Sequence, residues 1–372
     1  MSDAESRSDT SLRTSPPADP GLQAAVKLRF PLLDVVRVAA MLDVVSIHVV
    51  DRPLFWAAGV PAFIVMSVAL AVRRPDPLPL KTLVPRRADR VLVPWLWWSA
   101  VFGLSSLAST LTNPAVALSD TFYPWMGLAG TRIHLWFLPF IFVAEVAAAL
   151  AVRRLRWVPT SWLVGGAVAL AVVLLSATGW LYDQVAPAYE GMTLGSPDAQ
   201  ERARFYGFMT HRCWLYGTVS VCLGVALGRV LSLSRRRGLR VLWAGSVAML
   251  ALAVVMQAAG PQRLQNWGVS PSVAAQWLAQ AVAFAVVTTG FQVTGRGFDR
   301  LEKVAALTMG VYLLHKWVDL RLTDAELIFG AGQWAASIPW LTDGIGRTLL
   351  VWAATTVLVA ALRRWRAMRR VL

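Results

Sequence analysis

Residues 32–50 read Leu32-Leu33-Asp34-Val35-Val36-Arg37-Val38-Ala39-Ala40-Met41-Leu42-Asp43-Val44-Val45-Ser46-Ile47-His48-Val49-Val50. The run is long and apolar enough to span a bilayer, yet it carries an arginine, two aspartates and a histidine. Each ionisable side chain at membrane depth costs about 2.5–3.5 kcal/mol on insertion scales, so such groups are seldom there for packing alone. Arg37 and His48 are eleven residues apart. At about 100° per residue they fall within about 20° of one helix face, about 16 Å apart along the axis. One face therefore offers a cation near one membrane surface and a titratable base about half a membrane away. Asp34, three residues before Arg37, is placed to pair with it and neutralise its charge. Asp43 lies roughly 140° from His48 on the same helix, so it needs a partner on another helix, which the sequence does not name.

The rest of the chain matches this opening. Of 372 residues, 56% are hydrophobic and 15% charged, with a mean hydropathy of +0.54, whereas soluble domains lie near half apolar and a quarter charged. Apolar runs recur near 32–50, 54–72, 91–110, 134–152, 161–181, 211–230, 240–259, 272–293, 304–322 and 343–362. They predict an all-α integral membrane protein, a bundle of about ten transmembrane helices. With the N-terminus inside and boundary residues given to the adjoining loop, the inner segments hold 26 of the 36 Lys and Arg residues and the outer segments nine, leaving Arg37 within a span. This asymmetry predicts both termini in the cytoplasm. The net charge of +15 is thereby explained by short clusters between spans, with no separate basic domain for nucleic acid. Residues 1–27 read as a disordered cytoplasmic tail, lacking the apolar core of a signal peptide. Residues 28–365 form the membrane domain, and 366–372 a basic cytoplasmic tail. The longest outer segment, 182–210, reads as a polar loop that could cap a cavity or merely connect two spans. Cys213 and Cys222 lie about 13 Å apart along one helix, too far to bond, and read as packing residues.

Three further constellations stand out. In Pro85-Arg86-Arg87-Ala88-Asp89-Arg90-Val91-Leu92-Val93-Pro94, Arg87 and Arg90 are i,i+3 neighbours able to grip one phosphate-bearing ligand. Plain positive-inside anchoring would also account for them. In His134-Leu135-Trp136-Phe137-Leu138-Pro139, Trp136 fits an aromatic belt at the outer boundary. Glu145, a carboxylate within the same apolar helix, is the better functional candidate. The four histidines, His48, His134, His211 and His315, all fall in outer halves or outer ends of spans. For His134 and His211, hydrogen bonding at the headgroup level reads as well as function. Their wide spacing gives no metal-ligand signature.

At these residues the chain resembles acyltransferase family 3, integral membrane enzymes that O-acylate sugars, lipids and secondary metabolites. The family's R-x10-H pattern is matched by Arg37 and His48, and its R-x2-R pattern by Arg87 and Arg90. Leu135 to Leu138 match a Leu-Trp-Phe-Leu segment, and Tyr312 to His315 a late Tyr-Leu-Leu-His. The segment Val60 to Val68 stands for a Phe-rich second span ending in Ser-Gly. Two departures accompany the likeness. Val68 replaces the usual glycine, which implies loss of a close backbone approach, and Lys316-Trp317 stands where the family often has proline second. The resemblance implies acyl-CoA as co-substrate, acetyl-CoA foremost, and a hydroxyl-bearing sugar, glycan, lipid or small metabolite as acceptor. It implies a bacterial inner membrane location and no metal. In this reading His48 is the base, Arg37, Arg87 and Arg90 hold the donor, and Asp34, Trp136, Glu145, Tyr312 and His315 support the site. Arg37, His48, Arg87 and Arg90 should then line one continuous cavity. The alternative is a polytopic transporter or lipid flippase, which would also hold charges within spans.

Overall fold

The computed structural model describes residues 30–50, 53–74, 78–112, 118, 121–189, 191–192, 198–233, 235–266, 271–295, 299–328 and 344–372. The expected N-terminal tail, 1–27, lies outside the described residues. Every regular element among them is helical. The long helices are α1 (Pro31–Val50), α2 (Gly59–Val72), α3 (Leu80–Arg87), α4 (Val93–Thr112), α5 (Phe137–Arg154), α6 (Thr160–Val185), α7 (Ala199–Leu233), α8 (Arg235–Asn266), α9 (Pro271–Gln292), α10 (Thr308–Ile328) and α11 (Gly344–Leu362).

Among the described residues seven stretches are long and apolar enough to cross a membrane: Leu80–Thr112, Ile133–Arg154, Thr160–Tyr189, Gln200–Ser232, Arg237–Gly260, Pro271–Gln292 and Gly344–Leu362. The three remaining expected spans are also helical, and each departs for a physical reason. α2 has only 14 residues, while α1 carries Asp34, Arg37 and Asp43 and α10 carries Lys316, Asp319 and Arg321. These charge-bearing helices are screened by protein. α1 packs against α2, α9, α10 and α11, and its Met41, Val44 and Val45 join Ile64 of α2, Leu138 of α5, Leu313 of α10 and Val351 of α11 in the main core.

Several local features depart from the expected pattern. α3 and α4 form one stretch joined by a π-helical turn, Ala88–Leu92. Pro94 lacks the N–H that would bond the carbonyl of Arg90, and its ring crowds that carbonyl, so the wider turn relieves the clash. The 182–210 segment is mostly helix rather than loop: α6 runs on into a 3₁₀ turn, Ala186–Tyr189, and α7 begins at Ala199. The Asp198 carboxylate accepts the Gln200 N–H at 2.9 Å, capping α7. The close approach that Val68 denies is restored from the other side. A Cβ on Gly224 of α7 would meet the Val68 side chain at 2.8 Å and the Val65 carbonyl at 3.0 Å, so the glycine that lets the two helices touch sits on α7. The basic C-terminal segment is no free tail. Val371 and Leu372 are buried, and Trp98 of α4 donates to the Val371 carbonyl at 2.8 Å.

Candidate active site

α1 delivers Arg37 and His48 to opposite ends of one buried strip, as its periodicity requires. At the first end a cavity of about 440 Å³ is lined by Arg37, Arg87, Arg90, Arg363, Glu145 and Tyr312, among others. Asp34 holds Arg37 at 3.1 Å, the pairing expected from their i,i+3 spacing. Arg87 Nε lies 3.0 Å from Oε2 of Glu145, whose side chain is 2% exposed. The contact is an ion pair by distance, without the alignment of a hydrogen bond. Arg90, in the π turn, is exposed and adds a second cation to the same rim. Arg363, which follows α11, donates to the Ala306 carbonyl at 2.9 Å and completes the set. Four guanidiniums against two buried carboxylates, Asp34 and Glu145, leave this end net cationic, suited to phosphate groups.

Past the arginines the walls turn apolar, with Met41 and Val44 of α1, Phe63 and Met66 of α2, and Met309 of α10. Phe137 and Tyr312, their ring centroids 5.5 Å apart, line it next to the far end of the strip. His48 is not on the cavity wall. The expectation of one continuous cavity from Arg37 to His48 is therefore corrected, because this aromatic pair stands beside the passage and Tyr312 touches both sides. Its ring is 6.2 Å from the rings of both His134 and His315.

Beyond that layer three imidazoles meet. Ring centroids are 5.3 Å apart for His48 and His315, 5.6 Å for His134 and His315, and 6.2 Å for His48 and His134. His134 and His315 are buried, and His48 is half-buried. The Tyr312 carbonyl lies 2.8 Å from Nδ1 of His315. A carbonyl only accepts, so Nδ1 carries the proton and Nε2 is left as the free ring nitrogen. Nε2 of His315 and Nε2 of His134 are both buried without a hydrogen-bond partner among the described residues. Lys316, at the position where the sequence departs from the family pattern, donates its ammonium to the His48 carbonyl. Asp319 lies 3.4 Å from that ammonium and is itself gripped by Arg347 at 3.2 Å. Among the described residues no group of His, Cys, Asp or Glu is arranged to hold a metal ion.

Two sequence readings change. Trp136 sits in the 3₁₀ turn Ile133–Trp136, buried against Phe137 and Phe140. It is neither a belt residue nor a wall of the cavity, because the turn directs it into the core. His134, whose headgroup reading was open, is buried beside His48. His211 stays apart, stacked edge-on against Trp125 at 4.4 Å. Asp43 finds its partner in backbone rather than in a side chain, accepting the N–H groups of Phe55 at 2.6 Å and Gly59 at 2.8 Å. Cys213 and Cys222 are free. Arg363 carries no functional signal in the sequence, because a basic residue at a span end is what topology alone predicts, and Lys316 stands out there only as a departure from the family pattern.

The family model described as an acyltransferase domain, Acyl_transf_3, matches residues 30–364, nearly the whole chain. No curated protein and no solved structure matches the chain.

Proposed function

The chain belongs to the acyltransferase 3 family, and from that premise we propose that it moves an acyl group, acetyl foremost, from acyl-CoA to an acceptor hydroxyl. The observation that carries this reading is the polarity of a single helix. Four arginines surround the cavity at one end of α1, and three imidazoles gather at the other. The transporter alternative lapses, because the family is one of acyltransferases.

In this reading Arg37, Arg87, Arg90 and Arg363 bind the phosphates of the donor, and the apolar chamber takes its pantetheine arm. The separation of Arg37 and His48, about 16 Å along α1, suits an extended arm between a phosphate site and a reacting thioester. The thioester reaches His48 when Phe137 and Tyr312 turn aside. His48 accepts the proton of the acceptor hydroxyl as its oxygen attacks the thioester carbonyl. A C–O bond forms, the C–S bond breaks, and the thiolate leaves with the proton that His48 returns. Lys316 and His315 position His48 through its carbonyl and its ring face. Ten helices across a bacterial inner membrane, with both termini cytoplasmic, would put the arginines on the side where acyl-CoA is made. The charge asymmetry of the loops supports that orientation. The acceptor is a sugar, glycan, lipid or small metabolite that arrives from the histidine end.

A titration of coenzyme A against the purified protein in nanodiscs tests the donor assignment. Saturable binding that weakens in Arg37→Ala, with pantetheine alone binding far less, is the expected result. Equal binding by wild type and Arg37→Ala would overturn it.

A further inference from the structure

A second cavity, of about 430 Å³, opens between α6 and α7, well away from the arginine mouth. Its end of the bundle is the histidine end: Tyr206, within α7, donates to the Gly130 carbonyl at 2.5 Å, four residues before His134. The α7 wall follows a helical stripe of Arg204, Phe208, His211, Arg212 and Leu215, which spans about 16 Å. The α6 wall supplies Thr178, Leu181, Tyr182 and Val185.

Polarity changes along this groove. At its outer end Tyr189 and Phe208 stack at 4.4 Å. Arg212 lies over the Tyr182 ring at 4.1 Å, and its side chain leans toward the outer end because helical side chains tilt toward the N-terminus. Arg204 is exposed at the same end. Neither Arg204 nor Arg212 has a carboxylate partner among the described residues. At the inner end Leu181 and Leu215 are 43% and 39% exposed, on helices long and apolar enough to cross a membrane. Exposed leucines on such helices are suited to hydrocarbon, which favours a groove open to lipid as well as to water. Two guanidiniums beside apolar walls that include Leu181, Val185 and Leu215 match one ligand chemistry, an anionic phosphate ester carried on a hydrocarbon chain.

We propose that the α6–α7 groove binds an anionic phosphate-bearing lipid, with Arg204 and Arg212 on the phosphate and Leu181 and Leu215 along the chain. The same chemistry is offered by a phospholipid of the leaflet and by a lipid-linked acceptor. The site stands on the groove alone, so it survives or fails independently of the donor reading above.

The probe is phosphatidylglycerol, with zwitterionic phosphatidylcholine as control, scored by retention on the full-length protein in native mass spectrometry from mixed-lipid nanodiscs. Wild type should retain phosphatidylglycerol preferentially. Arg204→Gln should weaken retention about fivefold, and Arg204→Gln with Arg212→Gln about thirtyfold, following the usual contribution of each cation near a lipid surface. Because Arg204 is exposed, the single variant keeps the test valid if the double variant fails to fold. Equal retention of the two lipids by wild type, or undiminished phosphatidylglycerol retention by Arg204→Gln, would overturn the proposal. A second arm separates the two sources. Phosphatidylglycerol that inhibits acyl transfer competitively with acceptor marks the groove as a lipid-linked acceptor's site. Retention without inhibition marks it as the site of a resident leaflet lipid.

Discussion

His48 is the side chain on which the chemical assignment turns. His48→Ala should lower acyl transfer by about 10²–10⁴-fold, the usual contribution of a positioned general base. Coenzyme A affinity should be unchanged, because the arginine cavity lies beyond Phe137 and Tyr312. Thiol release with acceptor present, read beside a coenzyme A titration, checks both halves; wild-type turnover in the variant would remove His48 from catalysis. Arg87 carries two burdens that can be separated. It faces the arginine-lined cavity and also neutralises Glu145, whose carboxylate is nearly inaccessible. Arg87→Ala should therefore weaken coenzyme A binding, with a loss that shrinks as salt rises, and destabilise the fold by about 3 kcal/mol by stranding a buried charge. Adding Glu145→Gln should restore the Tm without restoring donor affinity. Recovery of both together would mean that Arg87 acts only through Glu145. Arg90 is exposed and makes no close ion pair with Glu145, so Arg90→Ala should lower affinity with a smaller change in Tm than Arg87→Ala.

At the scale of elements, the turn between α1 and α2 shows a carboxylate used structurally within the helix that carries Arg37 and His48. Trp56 and Ala57 have φ of 55° and 60°, a left-handed conformation costing about 1–2 kcal/mol for each non-glycine residue. The Asp43 carboxylate offsets this by accepting the N–H groups of Phe55 and Gly59 on either side. Asp43→Ala should lower stability by about 1–3 kcal/mol, and Ala57→Gly should raise it by about 1 kcal/mol. Thermal unfolding in detergent reads both, and a destabilised Ala57→Gly would show that the turn is not strained. The sequence could place Asp43 off the His48 face and demand a partner, but backbone donors have no signature in a residue string. The same division runs through the rest of the chain. The alignment of Arg37 with His48, the Asp34–Arg37 pair and a helix over each expected span were legible because they follow from helical period and apolarity. The meeting of His48, His134 and His315 was not, because three distant segments supply the rings and only packing brings them together. The inward turn of Trp136 was hidden for a related reason: a tryptophan at a span end reads the same whether it faces headgroups or core. The extension of α7 back to Ala199 was hidden because polar and charged residues at its start look like loop until Asp198 is seen capping it.

For the molecule as a whole, the proposed reaction raises the question of how a reactive thioester would be kept from water while two substrates approach from opposite ends. The arrangement offers two compartments on one helix, an arginine-lined chamber and an imidazole cluster, with Tyr312 in contact with both and Phe137 packed against Tyr312. Separate compartments exclude water from the donor until an acceptor is in place, which protects an activated acyl group from hydrolysis. If that is what the aromatic pair does, shortening it should open the chamber onto His48 permanently. Phe137→Ala should raise acceptor-independent thiol release from acetyl-CoA about tenfold, a barrier change of about 1.4 kcal/mol, while productive transfer changes less. His48→Ala in the same chain should return the leak to background, because water then lacks the base that activates it. Phe137 is buried in the main core, so Tyr312→Phe serves as a control that keeps the aromatic volume and should leak no more than wild type. A Phe137→Ala protein that remains folded and binds coenzyme A, yet hydrolyses acetyl-CoA no faster, would show that Phe137 packs the bundle without gating it. The donor would then need another way to the histidines.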